Sequence, residues 1–138
     1  MTIRIEIPML APEEVSPNYH GELRAKMSAT KAWREAAYYC ARQASPGAFP
    51  NYEKATLKIT FQVPSRAYVK DDDNAISSVK AALDGCVLAG IVCDDSPEHL
   101  RILQVGWDIN KAKDKATILE FVKLEEENGT RKSSKDSQ

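Results

Sequence analysis

Between Lys70 and Asp95 the chain reads KDDDNAISSVKAALDGCVLAGIVCDD, with acidic clusters at both ends and a single lysine, Lys80, between them. Asp71 and Asp73 stand two residues apart, a spacing that in extended backbone points both carboxylates to the same side. Asn74 suits the N-cap of a following helix, with Asp73 beside the positive end of that helix. Ser77, Lys80 and Asp84 continue the helical face begun by Asp73. Ile76, Val79, Leu83 and Val87 form the neighbouring apolar stripe that a core requires. Gly85 falls inside this pattern and Gly90 marks its end. Ile91, Val92 and Cys93 then read as a short buried run that delivers Asp94 and Asp95.

Two carboxylates about 4 Å apart repel by roughly 4 kcal/mol at an effective dielectric near 20. Lys80, Lys70 or a bound divalent cation would offset that repulsion. Magnesium takes hard oxygen ligands, usually one or two carboxylates completed by water and substrate phosphate oxygens. The stretch therefore points to metal-dependent phosphate chemistry. Each acidic cluster alone also suits a turn or a helix N-terminus, and a surface lysine alone is an ordinary solvated charge. The combination on one strand-to-helix junction is what singles the stretch out.

The elements that must position these residues follow from periodicity. Ile3, Ile5 and Ile7 alternate with Arg4 and Glu6 in a half-buried strand that stops at Pro8. A loop from Leu10 to Met27 carries His20, Arg24 and Lys26 among its turn residues Pro12, Pro17, Asn18 and Gly21. Ser28 suits the N-cap of a helix running to about Ala44. Its face of Trp33, Ala36, Ala37, Cys40, Ala41 and Ala44 is small enough to pack closely on a sheet. Leu57, Ile59, Phe61 and Val63 mark a second strand, and Arg66 and Lys70 lead from it into the acidic stretch. Leu103, Val105, Trp107 and Ile109 mark a third strand. NKAKDKA reads as a hairpin-like connection to a fourth, Thr117 to Leu124. The expected fold is α+β: one domain, a mixed sheet of about four strands with two main helices packed against it. It covers 1–124, and the polar run 125–138 is expected to be a disordered tail.

Composition narrows the function classes. A chain of 138 residues makes one domain, and its net charge of −1 supplies no bulk attraction to nucleic acid. An acidic metal site would cancel a basic binding surface in that sum, so DNA stays open. The three cysteines, Cys40, Cys86 and Cys93, form no CxxC pair and read as reduced, mostly buried thiols of a cytoplasmic protein. No apolar run reaches the length of a membrane span, so no membrane association is expected. Ala75 and Ile76 break the EF-hand pattern, and no P-loop, dinucleotide fingerprint or zinc spacing is present. With His20 and His99 the only histidines and no nucleophile signature near them, a triad hydrolase is not indicated. Glu98 and His99 lie near the second acidic pair, Glu98 as a further ligand candidate and His99 unrelated to the site.

The order of these residues resembles the RusA family of Holliday-junction resolvases. The match runs through DxDN at Asp71, Asp73 and Asn74, K-x-x-x-D at Lys80 and Asp84, then Gly90, Asp94 and Asp95. SPNYHGELRAKMSATKAWREA is similar to the family's proline-asparagine basic loop and first helix, and the likeness spans roughly residues 3 to 123. Lys80 lies six residues after Asn74, about one helical turn further along than in the best-known members. The resemblance implies a magnesium-dependent endonuclease, with manganese as a substitute, that nicks branched DNA symmetrically and leaves 5′-phosphate and 3′-hydroxyl ends. Asp71, Asp73 and Asp95 would hold the metal, with Asp94 as the alternative from its pair, and Lys80 would act as the catalytic cation. Asn18, His20, Arg24, Lys26, Lys31, Arg34, Arg66 and Lys70 would contact DNA, and two symmetric cuts imply a homodimer. The rival readings are another metal-dependent nuclease or nucleotide hydrolase on the same carboxylates, and a non-catalytic junction-binding protein.

Overall fold

The structure is a computed structural model and describes residues 1–125; the expected tail lies outside the described residues from residue 126 onward. Four strands form one sheet: β1 (Thr2–Ile7), β2 (Ala55–Val63), β3 (Leu100–Ile109) and β4 (Ala116–Lys123), in spatial order β1-β4-β2-β3. β4 runs antiparallel to both β1 and β2, whereas β3 is parallel to β2. Parallel neighbours need a crossover. That crossover is the acidic stretch, folded as α2 (Asp72–Ser78) and α3 (Lys80–Leu88). The mixed α+β sheet expected from the periodicity is therefore present, with α1 (Leu23–Ala44) as the other main helix.

Strand alternation decides which face is covered. Ile5, Leu119, Ile59 and Val105 share one level across the sheet, and Ile3, Phe121, Leu57 and Ile102 share the next. This is the core face. On the opposite face Arg4 pairs with Glu6 at 3.1 Å, and Lys58 stands across from Glu120. Period-two alternation puts these charges in water while the apolar set is buried.

Two expectations about strands are corrected. NKAKDKA does not close a hairpin, because β2 lies between β3 and β4 and pairs with both. The register of β3 also slips at Leu57/Lys58, which are opposite Ile102 and Gln104. Leu103 is the extra residue, 63% exposed, while Val105 and Trp107 pack on the core. A bulge on an edge strand inserts one residue and shifts the alternation by one from there on.

The helices depart from expectation for local reasons. Helix α1 starts at Leu23 after Glu22, so Ser28 lies inside it and caps nothing. The run LRAKM is rich in strong helix formers and extends the helix upstream. Arg24 and Lys26 consequently sit on helix α1 rather than in the loop. Trp33, Ala37 and Ala41 are fully buried. The closest packing of α1 is against α3 rather than the sheet: a Cβ on Gly85 would lie 2.3 Å from the Arg34 carbonyl oxygen and 3.2 Å from the Ala37 Cβ. Only a glycine permits that approach.

Helix α3 ends as the sequence indicates. Gly90 takes φ +80°, Gly90 N–H donates to the Val87 carbonyl at 3.0 Å and Ile91 N–H to that of Cys86 at 3.1 Å. These bonds make a Schellman cap and turn the chain into the Ile91–Val92 run, where Val92 forms a parallel bridge with Tyr52.

Candidate functional site

The single helix expected across the acidic stretch is broken at Val79, whose φ −100° and ψ 2° leave the helical well. Its cap is Asp71 rather than Asn74: the Asp71 side chain accepts from Asn74 N–H at 2.8 Å. An acidic cap satisfies an orphan donor and also meets the positive helix end, which the asparagine inside the first turn cannot do. Asp72 and Asp73 occupy that first turn and are exposed. Asp71 is thus extended and Asp73 helical, and the shared-side geometry expected of an extended DxD does not form.

Further along, the break sets the phase of α3. Lys80 is its first residue, and Asp84 lies one helical turn later beside Gly85. The close approach at Gly85 brings α1 over α3 there, and Asp84 stands in the field of Arg34 and Lys80. Asp84 also faces Asp95 across the loop that follows α3. Burial raises the Asp84 carboxyl above the usual carboxylate range. The Asp95 charge and a hydrogen bond between the two carboxyls raise it further, and Arg34 and Lys80 draw it partly back. Neither cation closes to ion-pair distance among the described residues. The pair is therefore a negative centre whose repulsion is only partly offset.

Asp94 behaves oppositely. A hydrogen bond from the Ser96 side chain, then the Asp95 backbone N–H, holds its carboxyl below the ordinary value, and His99 adds to this. His99, read from sequence as unrelated to the site, thus acts on the charge of Asp94. Its Nδ1 lies 2.7 Å from the Glu53 carbonyl oxygen and 3.2 Å from the Cys93 sulfur. A carbonyl only accepts, so Nδ1 carries a proton.

The residues singled out from sequence fall into separate places. Asp95, Lys80 and Arg34 come together around Asp84, which the sequence placed on the lysine's face without a role. Its in-phase position one turn after Lys80, next to a helix-internal glycine, is the signal that could have found it. Asp71 and Asp73 lie at the start of α2, and among the described residues no three His, Cys, Asp or Glu side chains gather as one metal-holding group. Glu98 is exposed. Among the basic candidates, Asn18 and Lys70 line one small cavity of about 210 Å³ with Ser16 and Asn74. His20, Arg24, Lys31 and Arg66 are exposed, and Lys26 and Arg34 are half-buried.

A larger cavity, about 900 Å³, lies on the other side of Lys70 and reaches Phe61, Tyr68, Trp107 and Lys115. Of these lining residues the sequence marked Lys70 alone as a binding residue, because the other side chains belong to segments far apart in the chain. Cys86 is buried, Cys40 and Cys93 are half-buried, and all three are free thiols. No helix among the described residues is long and apolar enough to cross a membrane. Comparison with family models and with curated proteins finds no match for the chain.

Proposed function

We propose that the protein is a magnesium-dependent, structure-selective DNA endonuclease that resolves four-way junctions, the activity its likeness to the RusA family implies. The observation that carries the reading is the Asp84–Asp95 carboxyl pair with Arg34 and Lys80 beside it. Magnesium asks a protein for only one or two carboxylates and completes its shell with water and phosphate oxygens, so this donor set fits the ion. In this reading Asp95 and Asp84 would hold the metal, and Asp73, in the exposed first turn of α2, stands apart from that pair. Asp71 combines a capping role with the charge of the DxDN motif, and Asp94 stands as a neighbour of Asp95. The bound ion would polarise the scissile phosphate and activate water for in-line attack.

The chain's own residues do the rest. Lys80, one turn before Asp84, supplies positive charge where negative charge builds on the phosphate oxygens. Arg34 flanks the same centre from α1. Lys70 with Asn18, and the exposed His20, Arg24, Lys31 and Arg66, hold backbone phosphates and fix register. Lys26 belongs to the same basic segment. Two cuts related by a twofold axis call for two copies of the chain.

The test is cleavage of a synthetic mobile four-way junction, with and without magnesium, by wild type, Asp73→Asn and Asp84→Asn. Paired symmetric nicks that require magnesium and at least one of these carboxylates support the proposal. Equal cleavage of linear duplex or nucleotides would move the reading to a general nuclease or nucleotide hydrolase. Junction binding without any nicking would leave a binding protein.

A further inference from the structure

The three strands β1, β2 and β3 all run in one direction, and the large cavity sits at their C-terminal ends. Residues following β1, β2 and β3 converge there, which in open sheets with a parallel crossover is where ligands bind. Its volume of about 900 Å³ falls in the range of a small-molecule site rather than a packing void. One wall is aromatic. Trp107 stacks on Phe61 with ring centroids 4.5 Å apart and planes 26° from parallel, and Tyr68 lies at the same cavity.

The charged lining is balanced: Lys70 and Lys115 against Glu13 and Asp114. None of the four closes an ion pair with another described residue, and the Lys115 ammonium instead rests 5.2 Å from the Tyr68 ring centre. A lining of zero formal charge does not draw a phosphate inward. It does suit a flat, neutral heterocycle that presents both donors and acceptors on its edge. Lys70 is shared with the small polar cavity that Asn18 and Asn74 line, so a cation and neutral donors stand at the side where a phosphate would lie. Ser78, at the break between α2 and α3, is shared as well.

We propose that this cavity receives one unpaired nucleobase of a DNA strand, stacked on its aromatic wall, with the adjoining phosphate held at Lys70. The proposal rests on the reading that the ligand of this protein is DNA. It adds that the protein recognises an unstacked base beside a branch or bulge. Extruding a base costs unstacking energy, least where pairing is already interrupted, so the cavity favours distorted over regular duplex.

Three DNA hairpins test this with the full chain in metal-free buffer: one bulged thymidine, an abasic bulge of the same length, and no bulge. Trp33 is fully buried and does not line the cavity, so a change in tryptophan fluorescence on binding reports on Trp107. The thymidine bulge should bind about tenfold more tightly than the abasic one and quench the fluorescence, as base–aromatic stacking implies. Trp107→Leu should lose both effects, and Lys115→Gln, an exposed change that leaves the core intact, should weaken the preference. Equal binding of thymidine and abasic bulges, or a preference that survives Trp107→Leu, overturns the proposal. Junction cleavage, measured separately, distinguishes the two readings. Base preference without cleavage refutes the nuclease and keeps the cavity assignment, whereas cleavage without base preference refutes the cavity assignment alone.

Discussion

The Trp33 indole N–H donates to the Ser78 carbonyl oxygen at 2.9 Å, joining α1 to the point where α2 gives way to α3. Ser78 Oγ in turn donates to the Ala75 carbonyl at 2.6 Å. A helix break exposes backbone groups that must find other partners, and a buried carbonyl without one costs about 1–3 kcal/mol. The break is held from outside the helix.

Trp33→Phe keeps an aromatic ring in the core but removes that donor. We expect a loss of about 1–3 kcal/mol in unfolding free energy, read from urea midpoints. Because the break sets the phase of Lys80 and Asp84, junction cleavage should fall as well under conditions where the variant remains folded. A variant of wild-type stability would mean that the Ser78 carbonyl has another donor.

Asp71 separates capping from charge. Asparagine caps a helix about as well as aspartate, whereas alanine costs about 1 kcal/mol. Asp71→Asn should therefore match wild type in thermal unfolding, and Asp71→Ala should unfold earlier. If both abolish cleavage, the carboxylate charge is needed for the reaction. If Asp71→Asn cleaves normally, the residue serves only as the cap of α2.

Asp84 has a folded value above its unfolded one, through burial first and Asp95 second. The stability such a group contributes is present below the unfolded carboxylate value and is lost as pH rises through the folded value. At pH 7, without metal, its ionisation therefore works against folding. Asp84→Asn should melt at the same or a higher temperature than wild type at pH 7, and this advantage should vanish near pH 3. Magnesium should raise the melting temperature of wild type and not of the variant. Asp73→Asn, in the exposed first turn of α2 and apart from the Asp84–Asp95 pair, should change metal-free stability by less than about 1 kcal/mol.

Cys86 gives a second pH dependence, far from the acidic pair's range. Burial, with a smaller effect from the Cys40 thiol, pushes its thiol from 9.0 up to about 12. The unfolded chain releases this proton first as pH rises, so stability falls from about pH 9 until the folded thiol ionises. Between pH 8 and 10.5 wild type should lose roughly 2 kcal/mol more than Cys86→Ala, measured by chemical unfolding of both proteins. Parallel pH profiles would show that the thiol is hydrated in the native state.

Period-two alternation was sufficient to place β1, β2 and β3 and the buried faces of β1 and β2, because it reflects a purely local choice between core and water, and β4 was legible as a largely apolar run. Gly90 likewise announced the end of α3, since the left-handed conformation it adopts is a property of one residue. The acidic stretch was legible as a helical segment with in-phase Lys80 and Asp84, and as the richest source of candidate ligands. What the sequence did not contain was distance. The bulge at Leu103, the β2 strand between β3 and β4, and the break at Val79 each depend on partners remote in the chain. Asp84 acquires its meaning from Asp95 on the following loop and from Arg34 on α1, brought near by the close contact at Gly85. The aromatic cavity has the same origin, with Phe61, Tyr68, Trp107 and Lys115 meeting only when the strand ends align. Local pattern determined the elements and the residue types on each face. Long-range packing decided which carboxylates share a site, because electrostatic and hydrogen-bonding partners are fixed by three-dimensional approach and not by spacing along the chain.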